Sequence, residues 1–401
     1  MILSQEKALA LAEKYGTPLY VYDESILRAR CRELAGLLPS RNFKVNYSAK
    51  ANTNLEILKI VREEGLLVDA MSPGEIYIEE MAGYEPEEIF YIGNNVSVEE
   101  MKYAVDRGIL TSVDSLSQLE LFGQNFPGQR VAIRFNSGVG AGHHEKVVTG
   151  GKKTKFAVQK DFIPEVKALL DKYNLKLAGI NQHIGSFFLR PDEYVDGAKA
   201  LLEIVKQFPG LDFVDFGGGF GIPYEEMHRL NLKSLSDLFE EILDGFLAEY
   251  DNQDIMFKIE PGRYIVAECS ALLGRVHSVK DNYGRHYIGT DIGFNVNMRP
   301  VMYDSYHRID VAKKNDTDET EIVYVCGNIC ESGDLLAKER TMKKAEVGDV
   351  VVMKDTGAYC FSMASNYNCR LRPAEVLIDA NGNDRLIRKR ETLEDLTRHF
   401  V

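Results

Sequence analysis

The sequence predicts an α/β chain, a (β/α)8 TIM-like barrel over residues 30–270, with a mainly β domain formed by 271–401 together with 1–29. Three observations predict it. Eight short β-rich runs between about residues 40 and 270 end in polar or glycine-bearing clusters and mostly alternate with amphipathic stretches. After about residue 270 the helical pattern stops and strand-and-turn patterns take over. The ends of the eight runs also carry the residues with chemistry in them, which is where a barrel gathers its site.

The runs are Phe43–Tyr47, Leu66–Ala70, Ile89–Ile92, Leu110–Val113, Arg130–Phe135, Leu177–His183, Phe213–Phe216 and Met256–Glu260. Between them, Leu55–Glu64, Glu75–Met81, Val98–Arg107, Asp161–Asp171 and Tyr194–Phe208 repeat apolar residues near helical spacing, with Asn54 and Ser97 as N-caps. A doubly wound open sheet is the competing architecture. Beyond the barrel, Ala271–Lys280, His286–Thr290, Glu321–Val325, Asp349–Lys354 and Ala374–Asp379 read as strands, with turns at Gly348-Asp349 and Asn381-Gly382-Asn383. Pro18–Tyr22 is a strand the barrel does not need, so it is expected in the β domain. The 25-residue connection Asn136–Lys160, rich in Gly and Lys, is too long for a plain barrel loop.

Composition narrows the function. A length of 401 residues favours two domains. A net charge of −13 argues against a general nucleic-acid binder, although a local Arg/Lys cluster could still hold a small anion. No apolar run approaches the roughly 20 residues that span a bilayer, and the N-terminus lacks a signal-peptide pattern. Six scattered cysteines show neither a disulfide framework nor zinc-knuckle spacing, so reduced thiols, a cytoplasmic chain and no metal are expected.

At the predicted barrel mouth stand Lys50, His183 with Ser186, Gly217-Gly218-Gly219 and Glu260-Pro261-Gly262-Arg263. Lys50 is either a solvated lysine or, flanked by small residues, a partly desolvated amine able to form a Schiff base. The glycine run is either a flexible turn or a place where backbone N–H groups approach a phosphate, and the end of the seventh strand suits phosphate. It lacks the GxGxxG spacing of a dinucleotide fold. Glu260 either pairs with Arg263 or keeps a pyridine nitrogen protonated. His183 is either a satisfied interior histidine or a flat ring stacked on a cofactor. In the β domain, Cys330–Asp334 and Ser365–Asn368 are polar turns or site motifs, and Arg299, followed by Tyr303, could grip a carboxylate or pair with an acidic residue.

Taken together, Tyr47–Asn52, Gln182–Ser186, Gly217–Gly219, Glu260–Arg263, Cys330–Asp334 and Ser365–Asn368 resemble the ordered motif series of the fold-type III decarboxylases, alanine-racemase-like barrels with a C-terminal β domain. The resemblance runs from about residue 15 to the C-terminus. It implies that Lys50 carries pyridoxal 5'-phosphate, that Glu260 holds the pyridine nitrogen, and that His183 stacks on the ring. It also implies that Gly217–Gly219, Ser186 and Tyr367 hold the phosphate, with Pro261 and Gly262 beside them, and that Arg263 serves phosphate or substrate. Cys330 would protonate the substrate carbon and Glu331 meet its distal amino group, both reaching in from the neighbouring subunit of a homodimer.

Gly140–His144, Thr149–Gly151, Asn297–Pro300 with Tyr303, and Leu386–Thr392 resemble the branch that converts meso-2,6-diaminopimelate to L-lysine and CO2. Arg299, Tyr303 and Tyr367 would then bind the substrate, the first two at its distal carboxylate. Ala364 and Cys369 depart from serines common in the family. The alternatives are a decarboxylase of ornithine, lysine, arginine or carboxynorspermidine, an amino-acid racemase, and a non-catalytic regulator. Arg299 weighs against the first, the Cys330-Glu331 pair against the second, and Lys50 with Glu260 and Cys330 against the third.

Overall fold

A computed structural model describes residues 3–138, 141–142, 154–225, 228–314 and 318–401. The chain divides into two compact units, Ala29–Ile222 with His228–Tyr264, and Met1–Arg28 with Pro223–Met227 and Ile265–Val401.

The first unit is a closed barrel of eight parallel strands: Phe43–Ser48, Leu67–Ala70, Ile89–Tyr91, Leu110–Val113, Arg130–Asn136, Lys176–Asn181, Phe213–Asp215 and Met256–Ile259. Each pairs with the next, and Met256–Ile259 returns to Phe43–Ser48 (Phe257 opposite Phe43), so no edge is left open. The eight expected strands are all present, which excludes the open sheet. His183, Phe216 and Glu260 lie just past the strand ends rather than inside the strands. Inside the barrel, Phe90, Ile92, Ala132, Ala178 and Phe213 pack as one buried cluster. Each large apolar side chain so buried stabilises the fold by roughly 1.5–3 kcal/mol.

The helices start where capping chemistry places them. The Asn54 side chain accepts from the Glu56 N–H at the head of Leu55–Glu63, and Ser97 forms a reciprocal capping box with Glu100 at the head of Val98–Val105. Leu116–Asn125 and Leu232–Leu247 complete the outer layer where the periodic reading had left gaps. Of the long connection after the fifth strand, Gly140, His143, His144 and Thr149–Gly151 lie outside the described residues. Ala141–Gly142 pairs in parallel with Gly185–Ser186.

In the second unit, Leu19–Asp23 sits between Ser270–Asn282, antiparallel, and Ala374–Ile378, parallel. Its core gathers Leu19, Val21, Leu273, Val350 and Val376 with Leu11 of the helix Gln5–Tyr15. Ile309–Ala312, Leu335–Lys343 and Asp384–Arg388 are strands that the sequence reading did not separate.

Candidate active site

The barrel mouth is built from strand ends. Ser48 closes the first strand, and Lys50 follows in the single 3-10 turn Ala49–Ala51, with Ala49 and Ala51 buried and Lys50 partly exposed. The Ser48 hydroxyl lies 2.9 Å from Asp69 Oδ2 and 3.1 Å from the Glu260 carbonyl, tying the first, second and eighth strand ends together. The Ser48 N–H donates to the Pro261 carbonyl, so Pro261 also fixes the turn that presents Lys50.

Three carboxyl groups, Asp69, Asp215 and Glu260, are buried here, and burial pushes all three upward from the ordinary carboxylate range, Asp215 to about 6 and Glu260 well above it. Asp215 and Asp69 raise Glu260 further, whereas Lys50 and Arg134 oppose the shift. Arg134 and Lys258 are buried too, and burial lowers both against the pull of these carboxyls. Burial thus favours the uncharged form of Glu260, and its Oε1 has no hydrogen-bond partner among the described residues.

His183 is set as a neutral ring. The Gly218 N–H can only donate, and it meets His183 Nδ1 at 3.2 Å, so the proton of the neutral imidazole belongs on Nε2. Burial, with Lys50 and Arg134 nearby, lowers its pKa well below the usual value.

The triple glycine has a packing reason of its own. A Cβ on Gly217 or Gly218 would fall on the carbonyl oxygens of Gln182 and Glu260, so only glycine lets these strand ends close. Two of the three amides are engaged internally, Gly217 N–H on Asp215 Oδ1 at 2.9 Å and Gly218 N–H on His183. Gly219 is the one whose amide makes no hydrogen bond to a described residue. Ser186 lies partly exposed on the short Gly185–Ser186 strand, and Gly262 is buried beside Arg263, whose guanidinium lies 5.9 Å from the Phe187 ring.

The second unit brings its own predicted residues together. Asp334 is buried and accepts from the N–H groups of Phe294 (2.7 Å) and Ile329 (2.9 Å), which shapes the loop carrying exposed Cys330 and Glu331. Its role is structural. The Asn368 amide bridges the Cys330 N–H and Sγ, both at 3.1 Å, and the exposed Tyr367 ring stacks on Phe294 at 5.5 Å.

Arg299 opens the short helix Arg299–Tyr303 and is only 2% exposed. Its guanidinium meets Tyr224 OH at 2.8 Å, Ser305 Oγ at 3.3 Å and His307 Nε2 at 3.5 Å. No described carboxylate pairs with it, which removes the acidic partner expected of a structural arginine.

Sequence reading missed Asp69, Arg134 and Lys258 at the mouth, and Tyr224 and His307 around Arg299. A charged residue inside an otherwise apolar barrel strand was the available signal for the first three. Among the described residues no cluster could hold a metal ion, none of the six cysteines is in a disulfide, and no helix is long and apolar enough to cross a membrane.

An electron-accepting pyridine with a phosphate fits these groups. Glu260 offers a buried carboxyl and Gly219 an amide, each with an atom lacking a hydrogen-bond partner among the described residues, while His183 offers a flat ring and Lys50 a primary amine. The fold and site thus define a pyridoxal-phosphate-dependent barrel enzyme, and the family model described as "Pyridoxal-dependent decarboxylase, pyridoxal binding domain" matches residues 24–267. The diaminopimelate decarboxylase of Methanothermobacter thermautotrophicus is 43% identical over 99% of this chain and 95% of its own length. A crystal structure of diaminopimelate decarboxylase from M. jannaschii in complex with L-lysine aligns with a TM-score of 0.90 at 33% identity, over 98% of this chain and 94% of that one. A lysine/ornithine decarboxylase from Vibrio vulnificus, at 22% identity and TM-score 0.81 over 95% and 100% of the two chains, shares the fold. The chain belongs to the diaminopimelate decarboxylase family of pyridoxal-dependent decarboxylases.

Proposed function

We propose that this protein decarboxylates meso-2,6-diaminopimelate to L-lysine and CO2, with pyridoxal 5'-phosphate as cofactor. The single observation that carries the substrate is Arg299, a buried guanidinium with no carboxylate partner among the described residues. A buried cation is costly unless a ligand supplies the opposite charge. Diaminopimelate has a second carboxylate; ornithine, lysine and arginine do not.

Bound pyridoxal phosphate supplies the electron sink for the pair left at Cα when CO2 departs. The protein does the rest. Lys50 would be the amine that holds the cofactor. Glu260 would face the pyridine nitrogen and give it the proton that burial favours on the empty carboxyl, leaving a carboxylate beside a protonated ring, and His183 would present a neutral face to the ring. Gly217–Gly219, Ser186 and Tyr367 would hold the phosphate, with Pro261 and Gly262 shaping the turn beside it; of the glycine amides, Gly219 is the donor left for it among the described residues. Arg263 lies at phosphate or substrate. Arg299 and Tyr303 fix the distal carboxylate, with Tyr367 also toward the substrate, Glu331 meets the distal amino group, and Cys330 returns a proton to Cα.

In this reading the active unit is a cytoplasmic homodimer in which Cys330 and Glu331 of each subunit serve the barrel of the other. Mixing inactive Lys50→Ala and Cys330→Ala protomers then restores activity through a hybrid with one intact site; proven exchange without recovery rejects the shared site.

Arg299→Leu tests the substrate. It should cut turnover of meso-diaminopimelate by roughly 10³-fold or more, since one buried charge pair is lost. Cofactor absorbance and thermal unfolding should stay close to wild type. Retained turnover would reject Arg299 as the carboxylate ligand.

A further inference from the structure

We propose that Asn368 is a positioning residue for the Cys330 thiol, holding its sulfur by a donated amide hydrogen bond that strengthens as the thiol gives up its proton. The inference rests on Cys330 being the acid, as read above. The Cys330 backbone N–H lies 3.1 Å from Asn368 Oδ1, and Asn368 Nδ2 lies 3.1 Å from Cys330 Sγ. A backbone N–H can only donate, so the amide oxygen must face it, and the NH2 is thereby forced toward sulfur.

Two consequences follow. The amide occupies one sulfur lone pair, so the S–H bond must point away from Asn368. When that proton passes to the electron-rich carbon left by CO2, the S–H bond breaks, a C–H bond forms and the negative charge moves to sulfur. An N–H donor holds a thiolate more strongly than a thiol, so the contact favours the moment of transfer. Cys330 then takes a proton back from water.

The backbone is built to place this amide. Asn368 has φ 56° and ψ 25°, and Cys369 follows at φ 53°. Asn and Asp enter this left-handed region more readily than most residues, and Gly enters it freely. Asn368→Asp therefore keeps the backbone and the acceptor for Cys330 N–H but replaces the donor to sulfur by a second acceptor. Asn368→Gly keeps the backbone and removes both contacts without adding charge.

The test is the rate of alkylation of Cys330 by iodoacetamide at pH 8 in the holoprotein without substrate, resolved from Cys369 by peptide mass spectrometry, alongside kcat and KM. Asn368→Asp should slow Cys330 alkylation by about tenfold or more, and Asn368→Gly by less, because a hydrogen bond to an anion is lost. In both variants kcat should fall while KM stays near wild type. Wild-type alkylation rates in both variants overturn the positioning role. Wild-type turnover by Cys330→Ala overturns instead the acid assignment on which it rests.

Discussion

Glu79 shows what one side chain costs this fold. It lies on the helix Pro73–Ala82, fully buried, and neither carboxyl oxygen has a hydrogen-bond partner among the described residues. Burial, reinforced by Asp69, Glu75 and Glu80, raises its pKa to about 10. The folded state therefore keeps a proton that the unfolded chain releases near pH 4.5, and stability falls as pH rises between those two values. Glu79→Gln removes this linkage. It should be stabilising by roughly 2–3 kcal/mol at pH 7 and near neutral at pH 4, measured by denaturant unfolding at both pH values. An equal effect at the two would contradict the buried neutral acid. From sequence, Glu79 looks like one more charge on an amphipathic helix, and nothing local marks it as buried. Lys50 and Glu260 stood out for the opposite reason, because motif and predicted strand end pointed to the same places, whereas Arg299 stood out by motif alone. Asp69, Arg134 and Lys258 were not, because their strands were read for apolar period and not for the charges that interrupt it.

At the scale of elements, the barrel strands were legible because each is a short apolar run ending in a polar turn. The helix Gln5–Tyr15 was not, since its buried face is Ala8, Leu11 and Ala12, and two alanines carry little periodic signal. Leu335–Lys343 was missed because it carries an extra residue at each of two register shifts against Thr320–Cys326, opposite Val323/Val325 and Val325/Cys326, which breaks its own two-residue alternation. The N-terminal helix is held to the strand Asp384–Arg388 by one carboxylate. Asp384 takes Lys7 Nζ at 2.7 Å, Lys14 Nζ at 2.6 Å and Tyr15 OH at 2.8 Å. The two lysines first, and Tyr15 with them, hold its pKa well below the ordinary value. A depressed carboxylate stabilises above its unfolded pKa and stops doing so as pH falls through its folded one. Asp384→Ala should therefore cost about 1 kcal/mol at pH 7, discounted for partly exposed lysines. The gap to wild type should shrink steadily as pH is lowered past 4. A gap independent of pH would mean that packing, not charge, anchors the helix.

At the scale of the whole molecule, the eightfold βα rhythm encodes the barrel because every unit repeats the same local rule. The β unit is encoded less locally. Leu19–Asp23 pairs with Ser270–Asn282 and Ala374–Ile378, partners some 250 and 355 residues away, which no window along the chain can reveal. Under the proposed function the barrel strand ends serve the cofactor, and Arg299, Tyr303, Cys330 and Glu331 serve the substrate. The account therefore stands or falls on one assay. The purified protein, saturated with pyridoxal phosphate, is given meso-diaminopimelate, L-lysine, L-ornithine and L-arginine separately at equal concentration, and CO2 and the amine product are measured. L-lysine and CO2 should form in equal amounts from meso-diaminopimelate, with kcat/KM about 10³-fold or more above that for the other three. Comparable CO2 release from lysine, ornithine or arginine would contradict it.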